Sequence, residues 1–170
     1  MMEKKRTKVR DLMVPLQDYP VVYDTDTIKD AIKCLKSYLA GGREHRSLLV
    51  FSKTRKVGGE EELVGILTVR DILNALKTNR SGFDSSELFT MTMASMGWAY
   101  LDPEGKYINV KLGKVIRPLV KAYVQSSDDV TAAIQLMLEK NVNILPVFEG
   151  KKAVGLLRAL DILDYLGDLL

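Results

Sequence analysis

The chain has 170 residues, 46% hydrophobic and 28% charged, with a formal net charge of +3, an ordinary globular composition for one domain or two small ones. No apolar run approaches the roughly 20 residues that span a bilayer, no apolar segment follows Met1-Met2-Glu3-Lys4-Lys5-Arg6, and the single cysteine leaves no internal disulfide. A cytoplasmic protein with no membrane association is expected, and so small a net charge does not point to nucleic acid.

The first segment carries Lys4, Lys5, Arg6, Lys8 and Arg10, a basic cluster that reads as a solvated tail. Val21-Val22-Tyr23 is a short β-branched and aromatic run, predicting a strand. Ile28, Ala31, Ile32 and Leu35 then recur at helical spacing behind Thr27, a good N-cap. Leu48-Leu49-Val50-Phe51 and Leu63-Val64-Gly65-Ile66-Leu67 are apolar runs bounded by turn residues, predicting two buried strands. Gly41-Gly42-Arg43-Glu44-His45 and the stretch from Lys53 to Glu62 are rich in Gly and charge, as surface loops are. A second helix opens near Thr68 with Ile72, Leu73 and Leu76 on one face.

The middle segment reads differently. Asp84 and Glu87 form a capping pair for a Met-rich helix over Leu88–Met96, which could pack on its neighbours or face a partner. Asp102-Pro103-Glu104-Gly105 has type I turn chemistry between Trp98-Ala99-Tyr100-Leu101 and Lys106-Tyr107-Ile108-Asn109-Val110, predicting a β-hairpin.

After it the first pattern returns. Val64-Gly65-Ile66-Leu67-Thr68-Val69-Arg70-Asp71-Ile72-Leu73 recurs as Val154-Gly155-Leu156-Leu157-Arg158-Ala159-Leu160-Asp161-Ile162-Leu163, identical at six of ten positions. Val14-Pro15 aligns with Arg117-Pro118 at an offset of 103, the helix at Ile28 with that at Val130 at 102, and Leu48-Leu49-Val50-Phe51 with Leu145-Pro146-Val147-Phe148 at 97. The final strand aligns at 90, so the first copy carries five extra residues before its second strand and seven after it. Tyr123-Val124-Gln125 and the helix behind Asp129 complete the second copy. The expectation is a mixed α/β (α+β) fold of two β-α-β-β-α units related by a pseudo-twofold.

Thr68-x-x-Asp71 opens a helix after a glycine-containing strand. It reads first as a capping pair and second as a binding corner: a helix start favours phosphate, and an aspartate one turn in can accept two ribose hydroxyls. In the second copy Arg158 replaces the threonine, so the reciprocal cap is lost while Asp161 remains. Arg158 would place a cationic fork beside that helix start, or be a plain surface arginine. Cys34 occupies the repeat position of Leu136 and reads as a core thiol; His45 is the only histidine, without a second ligand at metal spacing. No nucleophile–histidine–carboxylate set can be assembled, and catalysis is not expected.

Taken together, Gly65-Ile66-Leu67-Thr68-x-x-Asp71-Ile72, Val9-Arg10-Asp11-Leu12-Met13-Val14-Pro15 and Leu145-Pro146-Val147-Phe148 resemble the paired CBS domain, the cystathionine β-synthase module. The resemblance covers 9–77 and 112–168, leaving 78–111 as an insertion. It implies a regulatory module that binds an adenosine-containing ligand (AMP, ADP, ATP or S-adenosylmethionine) in the cleft between repeats, forms a homodimer and regulates another protein; nucleic acid is not implied. Matched by position, it implies phosphate and ribose contacts from Thr68 and Asp71, a second ribose contact from Asp161, adenine-bordering positions at Pro20 and Ala122, and polar approach from Arg46 and Asn143. The chain departs from the pattern where Arg158 lacks the hydroxyl, Leu49 replaces a proline and Pro20 has no N–H to offer. Two sites of unequal affinity at most are implied. A protein-interaction module with degenerate ligand sites is the competing reading.

Overall fold

Helical spacing and β-branched runs put the elements where the repeat predicts them. The computed structural model describes residues 6–78, 108–116 and 122–170. These fall into two compact units, the first built from Pro20–Lys53 and Val64–Arg117, the second from Met1–Tyr19, Thr54–Leu63 and Pro118–Leu170. In chain order the elements are α1 (Val9–Leu12), β1 (Val14–Pro15), β2 (Val21–Tyr23), α2 (Ile28–Ala40), β3 (Ser47–Val57), β4 (Glu60–Thr68), α3 (Val69–Thr78), β5 (Val124–Gln125), α4 (Val130–Lys140), β6 (Ile144–Glu149), β7 (Lys152–Arg158) and α5 (Ala159–Asp168). The β-α-β-β-α order appears twice, as expected, and Asp71 and Asp161 hold equivalent places, each the third residue of the helix that closes its copy of this order.

In the first unit the sheet order is β2-β3-β4, with β2 parallel to β3 in the register Val21↔Leu49. Ile28, Ala31 and Leu35 of α2 and Ile72 and Ala75 of α3 bury against Val22, Leu48, Val50, Val64 and Leu67. Cys34 packs at the edge of this core, as its repeat position implied, and burial raises its thiol pKa. In the second unit the order is β1-β7-β6-β5, with β5 parallel and β7 antiparallel to β6. Its core joins Val124, Val130, Ala133, Met137, Leu145, Val147, Leu157 and Ile162.

Each unit also takes in an arm from the start of the other copy. Helix starts leave backbone N–H groups without intrahelical partners, and the arms supply the acceptors. The Thr7 carbonyl accepts from Val130 N–H at 3.1 Å, and the Val110 carbonyl accepts from Ile28 N–H at 3.0 Å. Val9 N–H donates to the Asp128 carbonyl at 2.9 Å, and Leu112 N–H to that of Asp26 at 2.8 Å. Val9 and Leu112 are both fully buried. These pairs obey the offsets 103 and 102, so the duplication extends to single hydrogen bonds.

Three local expectations change. The stretch from Lys53 to Glu62, read as a loop, is a hairpin: β3 and β4 extend through it and turn at Gly58-Gly59, whose φ values of +60° and +85° give the doubly left-handed turn that matches strand twist. One charged pair bridges its strands, Arg55 with Glu62 at 3.2 Å. Asp129 stands at the N-cap of α4, but its carboxylate goes to Lys8 at 2.7 Å and makes no capping bond. Of the predicted middle hairpin, Ile108–Val110 form a turn and not a strand, because their carbonyls are spent on α2. The Met-rich helix and the rest of that hairpin lie outside the described residues.

Candidate ligand-binding site

Strand direction decides which residues meet. Pro20 precedes β2, Arg46 precedes β3 and Thr68 ends β4; with β2 parallel to β3 and β4 returning along β3, all three fall at one edge of the first unit's sheet, where α3 begins. By the same geometry Ala122, Asn143 and Arg158 fall at one edge of the second unit's sheet, where α5 begins. The eight sequence-predicted residues thus sort into two sets, Pro20, Arg46, Thr68 and Asp71 in one unit and Ala122, Asn143, Arg158 and Asp161 in the other.

Pro20 is buried, and its carbonyl accepts from Leu49 N–H at 2.9 Å. Arg46 is exposed in the loop before β3. At the start of α3, Asp71 Oδ2 accepts from Thr68 N–H at 2.9 Å and from Thr68 Oγ1 at 2.7 Å, while Thr68 Oγ1 accepts from Asp71 N–H at 3.2 Å. That is a closed capping box, and Thr27 with Asp30 at the start of α2 repeats it at 2.9, 2.8 and 3.2 Å. There the backbone N–H and hydroxyl of Thr27 hold the Asp30 carboxyl below its usual value. The capping geometry is therefore common to a helix start at the sheet edge and one away from it. At the sheet edge, Asp71 Oδ1 has no donor among the described residues.

The second set differs. Asp161 Oδ2 accepts from Arg158 N–H at 3.0 Å, so one half of the cap survives the loss of threonine. The Arg158 side chain turns back onto the same carboxylate, Nε lying 2.9 Å from Oδ2 and 3.1 Å from Oδ1, with Nη2 also donating to Oδ1. Neither reading of Arg158, as phosphate fork or plain surface residue, anticipated this pair. Asn143 contributes through its backbone, its carbonyl accepting from Ala159 N–H, the first of α5, at 2.8 Å. Ala122 is buried in the second unit's core.

Sequence reading missed a hydroxyl–carboxylate pair behind each edge. Ser52 Oγ donates to Asp24 at 2.9 Å, and at the equivalent positions Ser126 Oγ donates to Glu149 at 3.1 Å. The carboxylate has changed strands between copies, so aligning the repeats residue by residue hides the pairing that comparing both positions at once reveals. Among the described residues no group of His, Cys, Asp and Glu could hold a metal ion, and no helix is long and apolar enough to cross a membrane.

Comparison with known proteins bears on the fold. CBSX2, solved in complex with AMP, superposes with a TM-score of 0.60 at 23% identity, covering 95% of this chain and 97% of that one. A CBS domain-containing protein from Bacillus anthracis gives 0.63 at 16% identity, covering 96% and 95%. The cytosolic domain of the Mg2+ channel MgtE, in complex with ATP, gives 0.56 at 18% identity, covering 89% of this chain and 46% of that one. No curated protein matches the chain by sequence. The CBS-domain family profile matches residues 9–78 and again 113–168, the two stretches that carry the repeated strand and helix order, and the chain accordingly belongs to the CBS-domain family.

Proposed function

We propose that the chain is a non-enzymatic regulatory module that senses an adenosine-containing nucleotide, with Pro20, Arg46, Thr68 and Asp71 contacting ligand in the first unit and Ala122, Asn143, Arg158 and Asp161 in the second. The observation that carries this reading is the carboxylate of Asp71 at a sheet edge: Oδ2 is spent on the cap, and Oδ1, which has no donor among the described residues, faces the task of accepting hydroxyls. AMP in CBSX2 and ATP in the MgtE domain are consistent with an adenine nucleotide as the ligand; ADP and S-adenosylmethionine present the same ribose. The single cysteine supports a cytoplasmic setting. Occupancy would bias another, unidentified protein only through a difference in affinity between two states. A melting series with AMP, ADP, ATP and S-adenosylmethionine tests it: a ligand at a hundredfold excess over Kd adds about 2.7 kcal/mol. No shift with any of the four would overturn the reading.

A second reading, a dimerisation module with degenerate ligand sites, is favoured by one feature. Between α4 and α5 lies an apolar groove of about 280 Å³, lined by residues including Ile134, Met137, Leu138, Ile162, Leu163 and Leu166. Leu138 is 77% exposed and Leu163 64%. A homodimer through this face fits both readings, and the melting series separates them.

A further inference from the structure

Nothing in the family resemblance accounts for an arginine folded onto the aspartate expected to hold ribose. A carboxylate offers about four acceptor positions. On Asp161 three N–H donors of one residue engage both oxygens: Arg158 N–H on Oδ2, Nη2 on Oδ1, and the single Nε proton shared between the two. The pair is sheltered, the side chains of Arg158 and Asp161 being 27% and 14% exposed, so solvent screens it less than an open surface pair. The first N–H of α5 is also committed, to the Asn143 carbonyl. At Asp71 the partner is a threonine, whose two donors both fall on Oδ2.

We propose that Arg158 is a latch that makes the two sites select different ligands, an inference resting on the adenosine reading above. The Asp71 site takes a nucleoside by its ribose alone. The Asp161 site takes one only when a phosphate on the ligand draws the guanidinium off the carboxylate, because hydroxyls by themselves cannot replace a bidentate ionic contact. A planar fork that matches a carboxylate matches a phosphate equally well, so the same side chain that refuses adenosine accepts its phosphorylated forms. The substitution of one residue, threonine to arginine at a duplicated position, thereby converts a second copy of a site into one that reads phosphate.

Calorimetry on the full chain with adenosine and ATP, comparing the native protein with Arg158→Thr, decides it. The native chain should bind one adenosine, and Arg158→Thr should bind two, the new site at least about tenfold tighter than any second adenosine site of the native chain, the low end for a hydrogen bond to a charged group. ATP at that second site should weaken in the same variant. If Arg158→Thr does not fold, Arg158→Gln, which keeps part of the aliphatic stem and loses the charged fork, should show the same gain. Adenosine stoichiometry that stays at one in a folded variant, or that is already two in the native chain, overturns the latch and leaves the adenosine reading standing. No binding of adenosine or ATP to either protein overturns both.

Discussion

Asp71 caps a helix and, in the proposed function, also holds ligand, and a single substitution can separate the two roles. As the third residue of α3 it caps the helix, accepting Thr68 N–H and Oγ1 on Oδ2; as a ligand contact it would work through Oδ1. Asp71→Ala should cost about 0.5–2 kcal/mol of stability by loss of the cap. It should also cost about 1.5–3 kcal/mol of nucleotide affinity if the carboxylate accepts ribose. Asp30→Ala is the control, because the Thr27–Asp30 box is the same cap at α2. It should lower the melting point and leave affinity unchanged; parallel loss of affinity in both variants would mean the effect comes through the fold. Cys34 gives a second residue-scale expectation. Burial raises its pKa, so little thiolate is present at neutral pH, and its reaction with a disulfide reagent should be slower than that of an exposed thiol until the protein unfolds.

Among the elements, the arms decide how much of the fold the repeat pattern alone could reveal. The strands of each copy were legible as apolar or β-branched runs bounded by turn residues and the helices by apolar residues at period 3.6, and the duplication checked each against the other. That residues 7–15 dock on the second copy was not legible, because the arm's register is set by backbone hydrogen bonds of Thr7 and Val9, and the side chains of Lys8 and Val9 do not say in sequence which copy they meet. One trace was present: Gly155 sits inside an apolar strand, and glycine there marks close approach of another backbone. A Cβ at Gly155 would lie 2.7 Å from the Val14 carbonyl oxygen and 2.9 Å from the Met13 sulfur. Gly155→Ala should therefore push β1 off β7 and expose the arm to protease, whereas Gly150→Asn at the β6–β7 turn, where φ is +62° and nothing lies within 4 Å, should be tolerated. Val9 and Leu112, the buried anchors of the two arms, should cost about 2–5 kcal/mol on Leu112→Ala and less on Val9→Ala. Lys8 donates to Asp129 and holds its carboxyl below the ordinary 3.8. A lowered carboxyl contributes in full above its unfolded value and is lost as pH falls through the lowered one. Docking of the first arm should thus be unaffected from neutral pH down to about 4 and loosen only in more acid solution, and Lys8→Ala should flatten that dependence.

At the scale of the whole molecule, duplication followed by divergence leaves equivalent faces with different chemistry. At the sheet edges where α3 and α5 begin it set threonine against arginine, a difference visible in the sequence, although the turn of Arg158 onto Asp161 was not, since a rotamer is chosen by neighbours that only folding supplies. On the helical faces it set Lys36 of α2 against Leu138 of α4. Among the described residues the α4–α5 face is the more apolar of the two, with Leu138, Leu160, Leu163 and Leu166 exposed. An apolar groove with such a rim is matched most simply by its own copy across a twofold, since isologous pairing is the commonest closed assembly and presents each leucine to an equally apolar partner. The same pairing through α2 would set Lys36 near its own image, which like charges oppose. Light scattering at tens of micromolar should therefore show a dimer for the native chain and a monomer for Leu138→Glu combined with Leu163→Glu. Lys36→Glu should remain a dimer. Because all three positions are exposed, intrinsic monomer stability should change by no more than about 0.5 kcal/mol per site, so a monomer that keeps its secondary structure assigns the interface to the α4–α5 groove. A dimer that survives the double substitution and is broken by Lys36→Glu assigns it to the first unit, and a native chain that is monomeric removes the dimer from both readings of function.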